Sequence, residues 1–255
     1  IVQSLQPTVE CYNAVIEAWS NSNEQISVVR SRTWLSKLED QSTTLLPLLQ
    51  PNAKSYDLYL NSVSRGIGKN AKLHLERAEE AMKILQYRLS SDAPSSIRPT
   101  TESFNYVLRA YTRCRNEKSI AGKVMGLVRD MEKIHKDVVM NEVKRIGGKN
   151  KDDWKMNVSP NTKTYVMAMD AWIIKAGVKA TKWRSEQLAR NNQLKQKGVV
   201  PNDSENDTNN KKDDGSKEME FAKSILVYIQ ALEKVGLADV RASVVGYNTL
   251  LSGYV

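Results

Sequence analysis

One motif recurs five times along this chain of 255 residues, and it limits the possible folds more than any other feature. The segments "PTVECYNAVIEAWS", "PNAKSYDLYLNSVS", "PTTESFNYVLRAYT", "PNTKTYVMAMDAWI" and "ASVVGYNTLLSGYV" align on one aromatic: Tyr12, Tyr56, Phe104, Tyr165 and Tyr247. The first four open with Pro followed by Asn or Thr, five residues ahead of the aromatic (Pro7, Pro51, Pro99, Pro160). In the fifth, Ala242 stands where the others have Pro. Self-similarity of this kind marks an array of small units, each unable to bury its apolar face alone.

Each copy predicts a helix. Pro cannot continue a preceding helix, and Ser55, Ser103 and Thr164, just ahead of the aromatic, are suited to cap the next one. Apolar residues then recur at the aromatic, +3, +4 and +7, as in Phe104, Val107, Leu108 and Tyr111, which is one helical face. The +6 position is always small (Ala18, Ser62, Ala110, Ala171, Gly253), so a neighbouring helix can approach closely there. A second helix follows, with a small residue and apolar residues at +3, +4 and +7. It reads Ser31, Trp34, Leu35, Leu38 in copy one, Ala121, Val124, Met125, Val128 in copy three, and Ala222, Ile225, Leu226, Ile229 in copy four. In copy two, "ERAEEAMKILQYRL" fits two registers. The expected fold is all-α, a stack of antiparallel helix pairs.

The aromatics are 44, 48, 61 and 82 residues apart, so the connections lengthen while the helix signatures persist. The expected organisation is the end of a preceding copy at 1–8, copies at 9–52 and 53–100, and a third at 101–161 with an insertion at about 140–158. A fourth follows at 162–243 with an insertion at about 178–217, and a fifth starts at 244–255. The second insertion opens with "VKATKWRSEQLARNNQLKQKG", which predicts a basic helix of its own, and continues through a polar stretch expected to be disordered. The chain begins without Met and stops inside an apolar helical pattern, which reads as an excised fragment in which any targeting peptide is missing.

Net charge is +9, which favours polyanionic partners. Cys11 and Cys114 are far apart with no CxxC, so neither a disulfide framework nor a zinc site is expected. There is no run of 18 apolar residues, hence no membrane span. "SRGIGKN" at 64–70 lacks the phosphate-loop spacing and reads as a turn between two helices. His74 and His135 are solitary, and the Asp152-Asp153 and Asp213-Asp214 pairs lie in insertions. With no nucleophile, acid–base or metal constellation, the expectation is a non-enzyme without cofactor, metal or small-molecule substrate.

The Tyr-Asn at the start of the first helix, the small +6 residue, the Ala-containing second helix and the closing Pro-Asn resemble pentatricopeptide repeats. "VVGYNTLLSGYV" at 244–255 is close to that family's first-helix pattern, although every unit here is longer than the usual length of about 35 residues. The resemblance implies a right-handed superhelical α-solenoid binding single-stranded RNA, one base per copy, in organellar RNA processing, stability, splicing or translation. It implies a mitochondrion or plastid, with other RNA-processing proteins as further partners. By the family's pattern, the residue after the aromatic and the last residue of the copy select the base. Here those pairs are Asn13 with Asn52, Asp57 with Thr100, Asn105 with Asn161, and Val166 with Ser243, leaving Asn248 without its partner. Asn with Asn implies a pyrimidine, and an amide carries both a donor and an acceptor for a base edge. Asp57 with Thr100 is atypical and Val166 cannot hydrogen-bond, so copies two and four are expected to be unselective. The base-flanking position holds Glu10, Lys54, Glu102, Lys163 and Val245. Phosphate contacts are expected from Lys179, Lys182, Arg184, Arg190, Lys195 and Lys197 on the basic helix. A protein-binding helical scaffold without RNA is the alternative reading of the same stack.

Overall fold

Thr100 shows how a helix begins in this protein. In the computed structural model it sits in extended backbone; its Oγ1 accepts from the Ser103 N–H, and Ser103 Oγ accepts from the Thr100 N–H. This reciprocal box satisfies two donors that a helix start leaves free. Asn52 with Ser55, and Asn161 with Thr164, repeat it at the next equivalent starts. The cap is therefore the residue directly after Pro51, Pro99 or Pro160. Ser55, Ser103 and Thr164, expected as caps, are already helical and are the caps' partners three residues on.

The structure describes residues 7–44, 49–66, 70–114, 119–145, 158–196, 214–236 and 239–254. Among them the protein is all-helical, with no strand. Its α-helices are α1 (Val9–Asn21), α2 (Ser27–Thr44), α3 (Ala53–Arg65), α4 (Ala71–Leu89), α5 (Thr101–Thr112), α6 (Ile120–Arg145), α7 (Thr162–Gln196), α8 (Ser216–Lys234) and α9 (Val244–Ser252), with a 3-10 turn at Ser95–Ile97. The odd-numbered helices form a row, α1 on α3, α3 on α5, α5 on α7 and α7 on α9. Each even-numbered helix packs on the odd helix before it and the one after it.

In α3 and α5 the predicted faces are the buried ones, whereas Tyr247, Leu251 and Tyr254 on the predicted face of the fifth copy are exposed. Tyr56, Tyr59, Leu60 and Val63 of α3 are in the core, as are Phe104, Val107, Leu108 and Tyr111 of α5. On the even-numbered helices Leu35 of α2, Val124 and Val128 of α6, and Ala222 and Ile229 of α8 are buried as well. In α4 the burial of Ala78, Ala81 and Leu85 selects one of the two registers that the sequence allowed. The small +6 residues Ser62, Ala110 and Ala171 are buried, and at Gly253 a Cβ would fall 2.7 Å from Met219 Cε and 2.9 Å from Ile173 Cγ2. That position faces the preceding helix pair. Ala18 has no such pair among the described residues, and it is exposed.

Two expected boundaries move. The basic helix is no separate insertion: it continues α7 through Gly177, because a single Gly costs a helix only about 1 kcal/mol and no Pro follows before residue 197. Likewise α6 runs on to Arg145, past the expected start of its insertion at about 140. Residues 146–157 and 197–213, with most of the first insertion, the middle of the second and most of the stretch expected to be disordered, lie outside the described residues. Before α8 the chain turns at Gly215, whose φ of 89° and approach to Ala176 (a Cβ would sit 2.4 Å from its carbonyl oxygen) exclude a side chain.

Arg88 of α4 ties copy two together. It is fully buried and donates to Asp57 Oδ1 (2.7 Å), the Ile97 carbonyl (2.6 Å) and the Arg98 carbonyl (3.2 Å), with its guanidinium over the Tyr56 ring. Removing one partner of such a pair leaves the others unsatisfied. Arg88→Met is therefore expected to lower unfolding stability in urea by about 3–5 kcal/mol, with Arg88→Lys in between because it keeps the charge but not the three-way geometry.

Candidate nucleic-acid interface

The residue after each of the first four aromatics lies at the contact between successive odd-numbered helices. Asn13 of α1 donates through Nδ2 to Oδ1 of Asn52, the cap of α3 (3.4 Å). Asp57 of α3 accepts at Oδ1 from Ser103 Oγ, inside the capping box of α5 (2.5 Å). Asn105 of α5 accepts at Oδ1 from Thr164 Oγ1, inside the capping box of α7 (2.8 Å). At the fourth contact Val166 has no hydrogen bond to make. The corresponding residue of α9 is Gly246, where an added Cβ would stand in ordinary contact with Val166 Cγ2 (3.8 Å) and Leu226 Cδ1 (3.5 Å), while Ser243 caps α9 through the Gly246 N–H. Polar residue therefore meets hydroxyl-bearing box, and apolar residue meets glycine.

The expected base-selecting pairs are thus brought together to different degrees. Asn13 and Asn52 touch directly. Thr164 bridges Asn105 to Asn161, and Ser103 bridges Asp57 to Thr100. Asn13 and Asn105 are 3% and 1% exposed, and each has one amide atom without a protein partner: Oδ1 of Asn13 and Nδ2 of Asn105. Asp57 is held by both Ser103 and Arg88. Asn248, with no helix beyond it among the described residues, is exposed.

At the flanking position Glu10 and Val245 are exposed, whereas the other three are drawn into ion pairs between neighbouring helices. Lys54 lies 3.5 Å from Glu17 of α1, and Lys163 lies 3.0 Å from Glu102 of α5. Of the expected phosphate ligands, Lys179 is engaged: its Nζ lies 2.9 Å from Oε1 of the buried Glu218 in α8. Lys182 pairs with Glu186 one turn on, and Arg184 is exposed. Arg190 and Lys195 lie within α7, and Lys197 is outside the described residues.

No family model, curated protein or solved structure matches this chain. The site therefore rests on its own geometry. The hydroxyls of Ser103 and Thr164 were assigned only a capping role from the sequence, yet they are the contacts that reach the preceding copy. The signal was in the alignment: a hydroxyl precedes the aromatic wherever the preceding copy carries Asn or Asp two columns later, and Gly246 stands there after Val166. The +7 aromatics are not a uniform row. Tyr111 is buried, Trp19 and Trp172 are half-buried, and Tyr254 is exposed. His74 and His135 are half-buried helix residues. Among the described residues no His, Cys, Asp and Glu cluster is placed to hold a metal ion, and no helix is long and apolar enough to cross a membrane.

Two consequences are measurable. Thr164→Val is nearly isosteric but removes the acceptor for the Asn161 N–H and the donor to Asn105; it should cost about 1–3 kcal/mol in urea unfolding, and Thr164→Ser much less. Burial pushes the Glu218 carboxyl up, but the hydrogen bond from Lys179 and the charges of Lys179 and Lys175 outweigh it and hold the group below its ordinary value of 4.5. A lowered folded-state value stabilises the fold above 4.5 and is lost as pH falls through it. Glu218→Gln should flatten the decline in stability on the acid side, read by melts at stepped pH.

Proposed function

We propose that this chain is a pentatricopeptide-type RNA-binding protein. In this reading its helix pairs stack antiparallel into a right-handed superhelical α-solenoid that takes one base of single-stranded RNA per copy. The observation that carries the reading is the equivalence of Asn13 and Asn105. Each stands after the aromatic of its copy, at the closing Asn of that copy, with an amide atom that no protein group uses. Copies one and three read a pyrimidine. Copy two, with Asp57 held by Arg88 and Ser103, and copy four, with Val166, contribute no base selection. The net charge of +9 supplies the attraction to phosphate. The role follows from binding rather than catalysis: protection, processing, splicing or translation of organellar transcripts in a mitochondrion or plastid, alongside other RNA-processing proteins.

The magnitudes bound the role. One neutral hydrogen bond contributes roughly 0.5–1.5 kcal/mol net, so two reading copies discriminate on the order of 10- to 100-fold. A protein-binding scaffold is the second reading. It is favoured by a groove of about 570 Å³ between α2 and α4, in which Val29 and Leu73 lie among charged side chains that include Arg32, Lys37, Glu76 and Glu80.

Fluorescence anisotropy with labelled single-stranded C, U, A and G oligomers, titrated across salt, separates the two. The expected result is tighter binding to C and U, lost when Asn13 and Asn105 are both changed to Ala. Equal, steeply salt-dependent binding to all four would reduce the interface to a basic surface. No binding at low salt would leave the scaffold.

A further inference from the structure

The position two residues past the helix cap is Lys at both Asn junctions and Glu at the Asp57 junction. Lys54 follows Asn52, Lys163 follows Asn161, and Glu102 follows Thr100. Both lysines reach back across the junction to a carboxylate of the preceding odd-numbered helix. Lys54 Nζ is 3.5 Å from Glu17 Oε2, and Lys163 Nζ is 3.0 Å from Glu102 Oε2. Glu17 is one turn after Asn13, and Glu102 is one turn before Asn105. The two bridges therefore straddle the two places where an Asn amide is buried with an unused atom.

We propose that Lys54 and Lys163 are phosphate ligands held in reserve by Glu17 and Glu102. A backbone phosphate of single-stranded RNA displaces each carboxylate from its lysine, and the junction that the bridge spanned opens to the base. This rests on the RNA-binding reading and gives the flanking position a role that base stacking does not require. The exchange is physically easy. All four side chains are about half exposed, and ion pairs in that setting contribute little because solvent screens them and long side chains lose freedom to make them. A phosphodiester offers the same unit of charge and, unlike the carboxylate, releases condensed counterions when it is neutralised. At the Asp57 junction the equivalent residue is the acid Glu102, and the junction Asp is already held by Arg88. Phosphate is repelled there, and nothing is left to read.

The test uses the whole chain and labelled C and U oligomers, with binding constants measured over a range of salt. Changing both Lys54 and Lys163 to Ala should reduce the slope of log K against log salt by about 1.4, roughly 0.7 per phosphate contact. The double Arg variant should restore it. Changing both Glu17 and Glu102 to Gln should tighten binding roughly two- to thirty-fold, the equivalent of two competing exposed pairs, with the pyrimidine preference retained. Circular dichroism melts confirm that each variant is folded. If the wild-type chain binds RNA but the Lys variant keeps its slope and the Glu variant its affinity, the reserve-ligand role is wrong and the RNA reading survives. If the wild-type chain binds no RNA at low salt, both are wrong.

Discussion

A hydroxyl three residues past the cap joins one odd-numbered helix of this protein to the next. In Thr164 the oxygen accepts from the Asn161 N–H, closing the start of α7, while its hydrogen goes to Asn105 in α5. Ser103 does the same between Thr100 and Asp57. Local capping and inter-copy packing are thereby one interaction. A helix that starts one residue early or late loses both its cap and its neighbour, so the register of each helix is coupled to that of the one before. Apolar contact alone is non-directional and would not impose this.

The helix faces were legible in the sequence because burial follows a simple period. The pattern at +3, +4 and +7 places Phe104, Val107, Leu108 and Tyr111 in the core without reference to anything distant. The small +6 column was legible for the same reason, and Gly253 shows its limit, with no room for even a Cβ. What was not legible depended on partners far along the chain. Ser55, Ser103 and Thr164 looked like caps because Ser and Thr cap helices; only the extended backbone at Asn52 and Thr100 shows them one turn further in. Arg88 had no signal, since its burial depends on Asp57 and on the Ile97 and Arg98 carbonyls meeting it from two sides. The continuity of α7 was obscured by Gly177, which the sequence offered as a boundary and the helix tolerates.

The candidate site has the same duality. Asn13 and Asn105 were selected by their place after the aromatic, and that place is where the structure sets them against the next helix. In the RNA-binding reading proposed above, their burial means that a base would compete with an existing inter-helix contact rather than meet an open groove. Selectivity is then bounded by the small difference between two hydrogen-bonded states. Electrostatics acts differently: a net charge of +9 draws a polyanion without choosing its sequence. Affinity and selectivity would thus come from separate parts of the molecule.

The coupling between capping and stacking is tested most directly by a double-mutant cycle between Asn105→Ala and Thr164→Val, each variant unfolded in urea. If the hydroxyl joins α5 to α7, the two losses overlap and the interaction energy is about 1 kcal/mol. Additive losses, within roughly 0.3 kcal/mol, would mean that Thr164 serves only its own helix, and the account of how successive helices are joined would be wrong.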